Sequence, residues 1–233
     1  MLGSRTISMF GTLVNVASVA LGSIIGLALR RELPERIKKI AFQGVGLTTL
    51  FFGIRMALQT TNIVILFLSI LFGAIIGGII DVQSQLERFC DFLKVKTGSK
   101  DEKFTEGVLT AFLIFCIGPM TIIGSVQDGL IGDSSILVAK SILDGVVSVS
   151  LASTLGIGVL FSTVPLFILQ GAITLLATYL SAFFIDTIII ELSAIGGIML
   201  LGLGIKLLEI KNINVANLLP SFLIVPLILR LLS

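Results

Sequence analysis

The chain has 233 residues, of which 55% are hydrophobic and 13% charged, with 16 Lys and Arg against 14 Asp and Glu. Soluble globular domains carry about 25% charged residues. A chain with a mean hydropathy of +1.13 therefore cannot dress its surface for water, and it reads as an all-α, polytopic membrane protein with one transmembrane domain over residues 1–233. The sequence contains no His, which excludes His-based acid–base catalysis, His-ligated metals and Ser-His-Asp triads. Cys90 and Cys116 stand far apart in different settings and suggest neither a disulfide framework nor a metal site. No basic patch interleaved with aromatics points to nucleic acid. No phosphate-binding Gly loop or cluster of metal ligands points to an enzyme, a metal or a cofactor.

Stretches 6–29, 56–80, 107–127, 145–185 and 212–229 hold no Asp, Glu, Lys or Arg. A membrane helix needs roughly 20 apolar residues, so spans follow in chain order. Span 1 is Met9–Leu29, too long for the core of a signal peptide and followed by no cleavage pattern. A basic connector comes next, carrying Arg30, Arg31, Arg36, Lys38 and Lys39. Span 2 is Ile40–Leu58 and span 3 is Ile63–Ile80, with the polar turn Gln59-Thr-Thr-Asn62 between them. Residues 81–106 form the long polar loop, in which Asp81–Lys96 has the pattern of an amphipathic interfacial helix. Span 4 is Gly107–Val126, interrupted at Gly118-Pro119. The run 145–185 is too long for one span, which places span 5 at Ser134–Leu155 and span 6 at Phe161–Phe184, separated by Gly156-Ile-Gly158 and Pro165. A rival reading makes 134–158 a surface or re-entrant segment. Span 7 is Thr187–Leu208 and span 8 is Val215–Leu229.

Lys and Arg collect on the cytoplasmic side of membrane proteins. Eight spans put the connector at 30–39, the loop at 81–106 and the Lys206/Lys211 pair on that side, with both termini on the other. Gln59–Asn62, Gln127–Asp133 and Asp186/Glu191 fall opposite. Seven spans would strand Lys206 and Lys211. A weak internal likeness agrees: Gly46-Leu-Thr-Thr-Leu-Phe-Phe-Gly53-Ile-Arg55 matches Gly197-Ile-Met-Leu-Leu-Gly-Leu-Gly204-Ile-Lys206. Spans 2–3 and 7–8 would then be inverted copies, a plan frequent in secondary transporters. The alternative is chance, because Gly, Leu and Ile dominate any membrane helix.

Four stretches carry a family likeness: Gly11-Thr-Leu-Val-Asn-Val-Ala-Ser18, Gly22-Ser-Ile-Ile-Gly26, Cys116-Ile-Gly-Pro-Met-Thr-Ile-Ile-Gly-Ser-Val-Gln-Asp-Gly-Leu130 and Lys140-Ser-Ile-Leu-Asp-Gly145. The chain resembles the domain-of-unknown-function 554 family of bacterial and archaeal inner-membrane proteins (YqgA/YdfK-like) along nearly its whole length from Met9. The resemblance implies a multi-pass protein of the cytoplasmic membrane, brings no catalytic residues, and makes residues 1–8 an extension.

Candidate functional groups cluster where apolar spans are broken or charged. Gly118-Pro119 removes a backbone donor and disfavours helix before it. With Thr121, Ser125, Gln127 and Asp128 nearby, it reads as a discontinuous helix facing a substrate or ion, or as an ordinary kink. Asp144 follows Lys140 and precedes Ser148 by four residues each, so the three share a helix face. A lone carboxylate near the bilayer middle is unfavourable by roughly 2.5–3.5 kcal/mol, so Asp144 pairs with Lys140, stays neutral or faces water. The functional reading is a proton- or cation-coupled site; the plain one is a structural ion pair. Asp128 is read as a mouth acid attracting cations, or as a helix cap. Arg55 and Lys206 occupy matching repeat positions as gates, anion contacts or snorkelling span ends. Asn15, Gln43 and Gln170 line a pathway or bond between helices. Gly22/Gly26 and Gly73/Gly77 let helices approach closely, within the bundle or in a homo-oligomer. The sequence favours secondary transport of a small solute or ion, with an oligomeric channel or a non-transporting scaffold as alternatives, in a lipid bilayer.

Overall fold

The computed structural model describes residues 9–32, 34–177 and 186–232. Its helices are α1 (Phe10–Glu32), α2 (Glu35–Ala57), α3 (Ile63–Ile80), α4 (Val82–Thr97), α5 (Phe104–Cys116), α6 (Pro119–Ile131), α7 (Ser135–Leu155), α8 (Gly158–Phe161), α9 (Thr163–Leu175), α10 (Asp186–Leu207) and α11 (Ser221–Leu232). A 3₁₀ turn, Val215–Leu218, precedes α11, and there is no strand among the described residues. Six helical stretches are long and apolar enough to cross a membrane, and the bent pair α5–α6 makes a seventh. The shorter apolar segment Val215–Arg230 stands where span 8 was expected, so the order of about eight passes holds.

The differences from the sequence reading have local causes. α2 starts at Glu35 rather than Ile40, because Pro34 is extended (φ −57, ψ 145) and the Arg- and Lys-rich residues after it are good helix formers. Residues 135–155 form one continuous helix, with no re-entrant turn. Span 6 begins earlier, as α8 and then α9; its part beyond Ala177 lies outside the described residues. Span 8 is split, with a 3₁₀ turn and Leu219-Pro220 ahead of α11.

Small residues decide which helices pair. In lipid, close backbone approach replaces the hydrophobic effect as the driving force. α1 and α7 run parallel, and a Cβ added to Gly22 would lie 2.2 Å from the Gly145 carbonyl oxygen. α2 and α10 run antiparallel: a Cβ on Gly53 would meet the Gly197 carbonyl at 2.9 Å, and one on Gly204 would meet the Gly46 carbonyl at 3.1 Å. Two cores result. Leu192, Ile195, Met199 and Leu203 of α10 centre one, with α2, α3 and α11 around it. Val19, Phe115, Leu151 and Leu155 centre the other, built from α1, α5, α7 and α9. Phe42, Val45, Phe112 and Ile114 touch both and form the seam.

Candidate functional site

A cavity of about 540 Å³ opens along this seam. Its walls are α2, α7 and the junction between α5 and α6. That junction is a true break: the two half-helices meet at 64°. Ile117 and Gly118 are extended, and Pro119 opens α6. Proline suits the first helical position, where its missing N–H has no partner to lose. The Thr121 hydroxyl donates to the Phe115 carbonyl at 3.0 Å, satisfying one of the acceptors freed at the end of α5. Gly118, Met120 and Thr121 present the start of α6 to the cavity.

Across from the break, Lys140 and Asp144 of α7 form a buried ion pair. Both line the cavity, as do Arg55, Thr48 and Thr49 of α2. Removing one member of a buried pair strands the other charge, at about 3–5 kcal/mol. Behind Lys140 and Asp144, polar side chains continue between α1 and α9. The Asn15 amide donates to Gln170 Oε1 at 3.0 Å, and Thr12 and Thr174 hydroxyls lie 3.4 Å apart.

The expected residues thus divide. Gly118, Thr121, Lys140, Asp144 and Arg55 are brought to one cavity. Pro119 starts α6; its ring lies outside the described side chains. Ser125, Gln127, Asp128, Ser148 and Lys206 are not among the lining residues. Ser148 is buried, donates to the Gly145 carbonyl and packs against Gly22. The Ser125 hydroxyl is buried and unpaired among the described residues. Asp128 is fully buried. It accepts from the Gly11 amide at 3.0 Å and the Ser134 hydroxyl at 2.6 Å, so it caps the start of α1 and ties down the α6–α7 turn. Lys206 lies at the opposite end of the crossed α2/α10 pair from Arg55. Gln43 is exposed and outside the cavity lining.

One carboxylate served the sequence reading only as a marker of the side opposite the basic loops. Glu191 is fully buried and accepts from the Thr60 hydroxyl (2.6 Å), the Thr61 amide and hydroxyl (2.8 and 2.9 Å) and the Asn62 amide (3.1 Å). It fixes α10 to the α2–α3 turn. The available signal was an acid one turn inside an apolar span, facing a turn rich in hydroxyls and amides. At the other end of the bundle, Arg30 meets Asp101 at 2.5 Å. Burial pushes the Asp101 carboxyl up, but the Arg30 hydrogen bond, the Lys103 amide, the Arg30 charge and the Ile157 amide together hold it below its ordinary value.

Known proteins similar to this chain show its family. The family described as "Protein of unknown function (DUF554)" matches residues 10–230. The "Uncharacterized membrane protein YdfK" of Bacillus subtilis is 34% identical over 225 residues, covering 95% of this chain and 96% of its own. The "Uncharacterized protein YqgA" of Escherichia coli is 31% identical over 219 residues, covering 92% and 93%. No solved structure matches. A whole-length match in which a broken helix, a buried ion pair and two glycine-welded helix pairs all fall makes the chain a membrane protein of the DUF554 family.

Proposed function

We propose that the protein is a secondary transporter of a small solute or ion, with its site in the cavity between the α5–α6 break and the Lys140/Asp144 face of α7. The observation that carries the reading is this juxtaposition. A costly charge pair and an interrupted helix share one cavity of about 540 Å³ at the seam of two cores. Half-helix ends at a midplane site are the working parts of many carriers, and rocking of one bundle against the other exposes such a site to each side in turn. The glycine pattern supports an inverted repeat: pairing Gly46 with Gly204 and Gly53 with Gly197 is what a two-fold relation between α2 and α10 requires. Asp144 is the candidate for the group that exchanges H⁺ or Na⁺. The protein lies in the cytoplasmic membrane with 30–39 and 81–106 inside.

The test is a stabilisation screen of ions and metabolites on the purified protein, because a ligand that binds only the native state raises its stability. Counterflow of the hits in vesicles follows. Asp144→Asn is expected to abolish both the shift and the flux while the protein still folds. Intact ligand response and flux in both Asp144→Asn and Lys140→Gln would remove the reading, and flux without saturation would favour a channel.

A further inference from the structure

We infer that the cavity takes a single-chain organic anion, a carboxylate on an unbranched apolar tail, with Arg55 as its headgroup contact. The inference rests on the transport reading of the same cavity and adds the substrate class. Three observations lead there.

The first is shape. Along α2 the lining runs from Ala41 to Met56, a rise of roughly 22 Å at the helical ~1.5 Å per residue. At about 540 Å³, the cavity falls within the roughly 300–1,000 Å³ usual for ligand pockets. It is an elongated slot.

The second is chemistry. Phe52, Met56, Ile114, Ile117, Val147 and Leu200 make most of the wall apolar, which suits a tail rather than a bare ion. Leu143 and Val146 of the lining are 53% and 67% exposed. In a membrane-spanning bundle such side chains meet acyl chains, so the slot opens sideways to the bilayer and an apolar tail can enter from there.

The third is charge. The charged residues of the lining are Arg55, Lys140 and Asp144. Lys140 and Asp144 neutralise each other. Among the described residues Arg55 has no hydrogen-bond or ion-pair partner, and it is exposed, leaving one positive charge available at the mouth of the slot. The start of α6 adds the positive end of a half-helix. A guanidinium holds a carboxylate through two parallel N–H···O bonds. The head then sits one turn from the α2 C-terminus, and the tail runs toward Gly44.

The test uses octanoate as probe, with octanol, octylammonium and acetate as controls, on protein in discs of zwitterionic lipid. Cys90 and Cys116 are both buried, so a thiol-reactive dye reports unfolding without any engineered cysteine. Octanoate is expected to raise the unfolding midpoint; octanol, octylammonium and acetate are not. Arg55→Gln is expected to weaken octanoate binding about tenfold or more, and Arg55→Lys to retain part of it. A Cβ at Gly44 meets nothing within 4 Å, so Gly44→Phe fills the slot without disturbing packing and is expected to abolish the shift. Stabilisation by octylammonium in place of octanoate, blocked by Gly44→Phe, overturns the anion assignment and leaves the transport site standing. An octanoate shift unchanged in both Arg55→Gln and Gly44→Phe, or no shift with any probe, overturns the inference. So does competition by phosphatidylglycerol in a protein that gives no octanoate counterflow, which would make the slot a lipid-binding groove.

Discussion

Gly156 shows how tightly the end of the bundle at the Arg30–Asp101 pair is closed. Its φ of +79 with ψ −153 belongs to a region nearly reserved for glycine, where other residues lose about 1–3 kcal/mol. A Cβ there would also sit 1.9 Å from Asp101 Oδ2 and 2.0 Å from Arg30 Nη1. The Arg30–Asp101 pair thus closes over the α7–α8 turn. Because the folded-state pKa of Asp101 lies below its ordinary 3.8, its contribution is present above about that pH and disappears as pH falls through the lowered value. Thermal unfolding followed from pH 6 to pH 3 should show an acid loss of stability that is reduced in Asp101→Asn. An unchanged acid limb in that variant would sink the assignment. The Cys90 thiol, buried against Phe104 and Val108, is pushed up to about 12, so it stays protonated and unreactive until the fold opens.

Residue-scale legibility depended on sequence distance. Lys140 and Asp144 lie on one helix four residues apart, and that pairing can be read directly from the chain. Asp128 bonds Gly11, and Glu191 bonds the turn at 60–62. Those partners come together only through the tertiary fold, so the sequence leaves Asp128 open between a mouth acid and a helix cap, and the structure shows it as a buried cap on the distant α1.

Among the elements, the break between α5 and α6 was legible because proline leaves a helix few options. The pairing of helices was not, since many glycines in the chain could serve as contact points. Gly22 and Gly78 look alike in the sequence, yet a Cβ on Gly22 meets backbone at 2.2 Å whereas one on Gly78 meets nothing within 4 Å. Gly22→Leu should therefore destabilise the protein by at least about 1–3 kcal/mol, and Gly78→Leu should be close to neutral. Equal midpoints for the two variants in the thiol-dye melt would contradict the α1–α7 packing described above. Span 8 was misjudged in form for a related reason. The Gln83 amide donates to Asn217 Oδ1 at 2.7 Å and the Ala216 amide to Gln83 Oε1 at 3.3 Å, so the α3–α4 junction holds residues 215–218 in a 3₁₀ turn.

For the molecule as a whole, composition and charge placement were sufficient for the membrane class and an approximate number of passes. Nothing in them separates the chain into two cores. That division arises because α1 selects α7 while α2 selects α10, and the cavity lies where the two choices meet. The orientation inferred from the basic loops is open to a direct check. Lys100 and Asp133 are exposed and should lie on opposite faces of the membrane. In intact cells, a membrane-impermeant thiol reagent should modify Asp133→Cys and spare Lys100→Cys until the membrane is permeabilised. The reverse pattern would invert the topology, and labelling of both in intact cells would break the span count.

The parallel docking of α1 against α7 also constrains how the protein is made. More than a hundred residues separate Gly22 from Gly145, and ribosomes add roughly 5–20 residues per second. The first helix therefore leaves the translocon on the order of ten seconds before its partner exists, and α2 waits longer still for α10. During that interval nascent α1 and α2 rest in lipid with their glycine faces uncovered, so a chain terminated before residue 135 has neither welded pair and is a natural target for membrane proteolysis.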